Sequence, residues 1–224
     1  MILDKFKLDG KVAIVTGAGR GLGQGIAIGL AEAGADVALV VSSTTNDETA
    51  KAIKALGRRA VQIKADLLQK DSVARIVETT VKELGGVDIL VNNAGIIRRA
   101  ALLEFTEQDW DDVIQVNQKS VFFLGQAVAK QMVKQGRGGK IVNIASMLSF
   151  QGGIRVPSYT ASKSAVMGLT RIMANELAAH NINVNATAPF KSSGEPQRPA
   201  GMRARISVLR LGSARNAAVL SVSM

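Results

Sequence analysis

The stretch Val12-Ala13-Ile14-Val15-Thr16-Gly17-Ala18-Gly19-Arg20-Gly21-Leu22-Gly23 decides the fold. Four apolar residues make a run of buried-strand length. Glycines follow in a GxxxGxG spacing rather than the commoner GxGxxG, and helical spacing takes over from 21 to 33. Glycines at such a turn let the backbone bend tightly and approach a pyrophosphate, which then rests on N–H groups at the positive end of the helix. A glycine-rich turn with no ligand is the bland alternative. The strand–loop–helix order near the N-terminus favours cofactor binding.

Outward from this stretch the same alternation repeats. Apolar runs at 12–15, 37–41, 60–63, 87–91, 141–145 and 182–186 read as strands. Between them, segments such as 21–33, 72–84, 109–134 and 159–179 carry helical spacing. This order predicts right-handed βαβ crossovers and an α/β, Rossmann-type doubly wound parallel sheet, with ligands at the strands' C-terminal ends. Residues 1–189 are expected to form this domain, catalytic residues included. After Pro189 the texture changes to Ser, Pro and Arg. Residues 190–224 are expected to be an atypical, poorly ordered basic tail, apart from a short apolar element at 206–211.

Composition removes several classes of function. The 224 residues contain no cysteine, which excludes disulfides, thiol catalysis and Cys-based zinc sites. The one histidine, His180, excludes a multi-histidine metal site, so no metal is expected. No apolar run resembles a signal peptide or a membrane span, so a cytoplasmic protein with no membrane partner is the expectation. The net charge of +10 is uneven, because residues 190–224 hold six Lys/Arg against one acid and so carry half of it. A mild excess elsewhere suits anionic cofactors and substrates, and without interleaved aromatics no nucleic-acid partner is expected.

The second strand ends in Ser42, without an acid before Asp47 that could bind ribose hydroxyls. NAD and NADP both stay open from these residues. Asp66 could accept from an adenine amino group or could cap the helix that follows. Tyr159 and Lys163 stand four apart at a helix start, on one face. A phenol is a poor base at neutral pH, but a nearby ammonium and an oxidised nicotinamide both favour phenolate. Ser146 at the end of the fifth strand could hydrogen-bond the substrate oxygen, and Asn117 could hold a water linking the lysine to solvent. Trp110 reads as a half-buried helix anchor, and Asp109, Asp111 and Asp112 as a solvated helix start.

With Thr16 to Gly23, Asn92-Asn93-Ala94-Gly95, Asn117, Ser146, Tyr159 and Lys163, the sequence resembles the short-chain dehydrogenase/reductase family over about residues 8–189. The resemblance implies a catalytic tetrad of Asn117, Ser146, Tyr159 and Lys163. It implies cofactor contacts from Gly17, Gly19, Arg20, Gly21, Leu22, Gly23, Ser42, Asp66, Leu67, Asn93, Ala94, Gly95, Tyr159 and Lys163, and it leans towards NAD over NADP. A homodimer or homotetramer is the implied assembly.

A narrower resemblance, to 2-deoxy-D-gluconate 3-dehydrogenases, rests on Asn92 to Arg99, Glu104-Phe105, Asp109 to Ile114, and Ser146 to Tyr159. It implies hydride transfer at the 3-position of a keto/hydroxy sugar acid. Arg98, Arg99, Gln151 and Arg155 flank the expected mouth, and Arg98, Gln151 and Arg155 are the substrate candidates, since an arginine can clamp a carboxylate with two hydrogen bonds. The alternatives are a reductase of 3-oxoacyl thioesters or other carbonyls, and an inactive cofactor-binding fold. The second alternative arises because Pro189 is followed by Phe190 where the family has glycine, and the family's last strand is expected to be missing. A reading-frame change or sequence error is the expected origin of that ending.

Overall fold

The structure, a computed structural model, describes residues 2–42, 47–189, 205–210 and 218–223. Six parallel strands form one sheet: β1 (Val12–Thr16), β2 (Asp36–Val41), β3 (Ala60–Lys64), β4 (Ile89–Asn92), β5 (Gly139–Ile144) and β6 (Ile182–Thr187), in the order β3-β2-β1-β4-β5-β6. The order reverses between β1 and β4, where the loops after neighbouring strands part and leave a crevice. The central strands are buried along their whole length, as a sheet covered on both faces requires.

Helices α1 (Gly21–Glu32) and α2 (Glu48–Ala55) cover one face, through Ala27, Ala31, Ala50 and Ile53. Helices α3 (Ser72–Leu84), α5 (Ser120–Gln135) and α6 (Pro157–Leu177) cover the other, through Ile76, Leu124, Val128, Met132 and Met173. Helix α4 (Glu107–Ile114) runs into α5 through one π-helical turn, Gln115–Lys119. The 109–134 segment is therefore continuous, but with an extra residue in its hydrogen-bond ladder at Asn117.

Three boundaries move. The strand expected at 87–91 begins at Ile89, although the Asp88 backbone already bonds both neighbours, its N–H donating to the Val12 carbonyl at 2.8 Å and its carbonyl accepting the Lys140 N–H at 2.9 Å. Its carboxylate accepts the Val12 N–H at 2.9 Å and a two-point contact from Arg137 at 2.7 and 3.1 Å. The helix expected from 159 starts at Pro157, whose fixed φ and missing N–H suit the first turn. Its last residues tighten into a 3-10 turn, Ala178–His180, so His180 ends the segment exposed.

Most of the expected poorly ordered tail lies outside the described residues. Within it, β7 (Arg205–Arg210) and β8 (Ala218–Ser223) pair antiparallel, from Arg205 opposite Ser223 to Arg210 opposite Ala218. The apolar element expected at 206–211 thus falls on β7.

Candidate active site

The loop after β1 is built by close backbone approach. Gly17 and Gly21 have φ of +65° and +57°, in the left-handed region that glycine adopts without strain. Gly23 needs its bare Cα for another reason: a Cβ there would stand 2.1 Å from the Gly17 carbonyl oxygen. The first-turn N–H groups of α1 have no helical carbonyl to bond, which leaves donors at its positive end.

The loops after β1 and β4 are stitched together across the crevice. The Thr16 hydroxyl accepts the N–H groups of Asn93 and Ala94, both at 2.9 Å. In return, Asn93 Nδ2 donates to the carbonyls of Thr16 at 2.8 Å and Gly17 at 3.3 Å.

On the other side of the crevice, side chains do the holding. Asn92 Nδ2 donates to Asn143 Oδ1 at 2.9 Å, and Asn143 Nδ2 donates to Thr170 Oγ1 at 3.0 Å. This buried chain links β4, β5 and α6. Asn117 adds a second tie: its Oδ1 accepts the Ile96 N–H at 2.8 Å, and its Nδ2 donates to the Ile96 carbonyl at 2.9 Å and to Ser162 Oγ at 3.3 Å. The π-turn carries Asn117 to this position, fully buried, and such turns recur at functional sites. Ser162 in turn donates to the Tyr159 carbonyl at 2.9 Å.

Lys163 is 4% exposed. Its ammonium donates to the Ile144 carbonyl and lies 5.8 Å from the centre of the Tyr159 ring. Burial lowers its pKa to about 8, since desolvation penalises the charged form. Ser146 caps a 3-10 turn, Met147–Ser149: its Oγ accepts the Leu148 N–H, and its own N–H donates to Ser149 Oγ, both at 3.2 Å. Ser149 Oγ then donates to the Lys163 carbonyl at 2.7 Å, joining the strand end to the tyrosine helix.

A cleft of about 430 Å³ opens here, lined by Leu22, Asn93, Gly95, Ile96, Ile97, Arg99, Ile144, Ala145, Ser146, Tyr159, Lys163 and Pro189. Asn117 stands behind it: a Cβ on Gly95 would meet Asn117 Oδ1 at 3.2 Å and Lys163 Nζ at 3.9 Å. The glycine-shaped loop, the donors at the start of α1 and a cleft kept open by Gly95 fit a dinucleotide laid across the sheet's switch point.

The remaining expected residues fall at varied distances from this cleft. Arg20 and Ser42 are exposed at the start of α1 and the end of β2. Leu67 is buried, with its carbonyl accepting from Gln115. Asp66 is exposed and caps a local turn, accepting the Leu68 N–H at 3.0 Å. It is not the helix cap offered as its structural role, because α3 begins after Asp71.

Arg98 points into an ion-pair cluster, 3.2 Å from Asp109 and 3.3 Å from Asp112, so those aspartates are not simply a solvated helix start. Gln151 and Arg155 are exposed and do not line the cleft; Arg155 has φ +64°. Arg99 does line it, without an ion pair among the described residues. Trp110 is 40% exposed, as a half-buried anchor would be. Ser149, Ser162 and the α2 residue Thr49 also hold the site, with no motif in the sequence to mark them. Short hydroxyl side chains carry no spacing signal of their own.

The comparisons agree with this geometry. Residues 11–195 match the family model described as short chain dehydrogenase. Two curated relatives, the 2-dehydro-3-deoxy-D-gluconate 5-dehydrogenases of Dickeya dadantii and Escherichia coli, are 62% and 61% identical over 189 residues, covering 84% of this chain and 74% of theirs. A solved structure from Agrobacterium tumefaciens with bound NADP, named as a 2-deoxy-D-gluconate 3-dehydrogenase, is 53% identical with a TM-score of 0.74, over 82% of this chain and 72% of that one. Fold, crevice and kinship thus converge: the chain belongs to the short-chain dehydrogenase family, as an NAD(P)-dependent oxidoreductase acting on CH–OH groups.

Proposed function

We propose that this chain interconverts a secondary alcohol and a ketone on a six-carbon sugar acid, at carbon 5 of 2-dehydro-3-deoxy-D-gluconate. The observation that carries the reading is the gathering of Ser146, Tyr159, Lys163 and Arg99 around one cleft. Carbon 5 is preferred to carbon 3 of 2-deoxy-D-gluconate because the relatives above 60% identity act at carbon 5 by name.

In the oxidising direction the substrate hydroxyl sits between Ser146 and Tyr159. The Tyr159 phenolate takes the hydroxyl proton while the carbon gives up its hydride. The nicotinamide, when bound, supplies the hydride acceptor or donor. Ser146 Oγ donates to the same oxygen and holds it as carbonyl character develops. The buried Lys163 ammonium, 5.8 Å from the Tyr159 ring centre, is the cation beside this proton transfer. Asn117 keeps the loop after β4 against α6. Arg99, at the rim, meets the carboxylate; this replaces Arg98, which Asp109 and Asp112 already neutralise.

For the cofactor, resemblance leans to NAD, yet Ser42 at the end of β2 guards the 2′-position with no charge. Both NAD and NADP are therefore expected to bind, within about tenfold of each other.

The test compares turnover of 2-dehydro-3-deoxy-D-gluconate, 2-deoxy-D-gluconate and a 3-oxoacyl thioester with each cofactor. The 5-position sugar acid is expected to give the highest kcat/KM. Arg99→Ala is expected to raise KM for the sugar acid about tenfold or more, with cofactor KM unchanged. Preference for the thioester would sink the reading, and an unaltered sugar-acid KM would remove Arg99 from it.

A further inference from the structure

The glycine loop is pinned from a direction that the phosphate-cradle reading does not use. Thr49, in the first turn of α2, is 1% exposed, and its hydroxyl donates to the Ala18 carbonyl at 3.1 Å. The same oxygen accepts from Gln24 Nε2 on α1 at 3.1 Å. One buried hydroxyl thus joins both helices of this face to the middle of the loop.

The consequence follows from peptide planarity. In a trans peptide the C=O and the next N–H point opposite ways. The Gly17–Ala18 peptide is held at both ends, with the Gly17 oxygen accepting from Asn93 Nδ2 and the Ala18 N–H donating to the Val40 carbonyl at 3.2 Å. In the next peptide, Thr49 draws the Ala18 oxygen towards α2, which turns the Gly19 N–H away from α2. That N–H has no acceptor among the described residues. Without the hydroxyl the plane could rotate, and the Ala18 oxygen, an acceptor repelled by phosphate, could replace the donor.

We propose that Thr49, seconded by Gln24, is a positioning residue for cofactor affinity: it orients the Ala18–Gly19 peptide so that the Gly19 N–H faces the diphosphate. The proposal rests on the glycine loop being the cofactor cradle. Its effect belongs to cofactor binding and not to the proton transfer at Tyr159, which lies across the crevice.

The experiment uses the full chain and titrates NADPH and NADH into wild type, Thr49→Val, Thr49→Ser and Gln24→Leu, alongside steady-state kinetics and thermal melts. Thr49→Val keeps the shape and loses the donor, so cofactor Kd is expected to rise about tenfold, as for loss of one buried hydrogen bond. Cofactor KM should rise in parallel, while kcat at saturating cofactor falls by less than twofold. Thr49→Ser should recover affinity to within about threefold. Gln24→Leu, which leaves Thr49 in place, should weaken binding two- to threefold and covers the case in which Thr49→Val does not fold. Unchanged cofactor Kd in a Thr49→Val protein that melts lower would overturn the proposal, leaving only a structural role. A fall in kcat with Kd intact would do so too. If Gly19→Asp left wild-type affinity untouched, the cradle itself would be misplaced, which is a different failure from loss of the Thr49 effect alone.

Discussion

The two banks of the crevice are made by different means. On the β1–α1–β2 bank, shape comes from what is missing: Gly17 and Gly21 at positive φ, Gly23 with no room for a Cβ, and Ala18 wholly buried. On the β4–β5–α6 bank, shape comes from buried side-chain amides and hydroxyls in series, Asn92 to Asn143 to Thr170, and Ile96 to Asn117 to Ser162. The difference matches the task of each bank. A diphosphate is recognised by backbone N–H groups, which a side chain would only obstruct. A reacting oxygen needs a few side-chain atoms held to within a fraction of an ångström, which a series of buried hydrogen bonds provides.

That contrast is open to attack from both sides. The largest effect is expected from Tyr159→Phe, which removes the proposed proton carrier and leaves both banks standing. A fall in kcat of about 10³-fold is expected, with the melting temperature within about 2 °C of wild type. Surviving activity would move the acid–base role elsewhere.

Next comes Gly23→Ala. Its Cβ would meet the Gly17 carbonyl oxygen at 2.1 Å, a backbone atom with no easy retreat. A loss of about 3 kcal/mol is expected in denaturant unfolding, together with weakened cofactor binding. A well-tolerated alanine would show that the first bank is not shaped by close approach.

Asn143→Ala is the corresponding cut in the second bank. It strips the Asn92 amide of its acceptor and Thr170 Oγ1 of its donor, at a cost of about 2 kcal/mol. Here kcat should fall more than cofactor affinity. The reverse pattern would mean that the amide chain serves the cofactor side.

The smallest effect concerns charge and pH. Burial holds the Lys163 pKa at about 8, below its ordinary 10.5. The unfolded chain therefore binds the extra proton between those values, and wild-type stability in the absence of cofactor rises with pH across that window. Lys163→Met should stabilise the cofactor-free protein at pH 7 by about 1–3 kcal/mol. The stabilisation should shrink between pH 8 and pH 10.5, and a constant difference would contradict the cause given for the shift.

Away from the site, the opposite end of the strands is held by ion pairs. Burial pushes the Asp36 carboxyl up, but the Arg59 N–H and guanidinium, with Arg58 nearby, outweigh it and hold the carboxyl below its usual range. Asp88 accepts a two-point contact from the Arg137 guanidinium. The cleft residues crowd one end of the strands and salt-linked anchors the other, as expected of an open α/β sheet.

By itself, the sequence determined the alternation of strand and helix, the glycine loop, and the residue types of the site. Each is written in local spacing: a run of four apolar residues, glycines at fixed intervals, a tyrosine and a lysine one helical turn apart. Short elements without a strong period, such as α2, left no such trace. Only the tertiary structure showed which arginine lines the cleft, because the Arg98 partners arrive from the helix that starts nine residues later, while Arg99 beside it borders the opening. Only the fold also showed that Thr49 and Gln24, 25 residues apart, meet on the glycine loop, and that Ser149 ties Ser146 to the tyrosine helix. Hydrogen bonds between distant short side chains are set by how the elements pack, and packing has no one-dimensional signature.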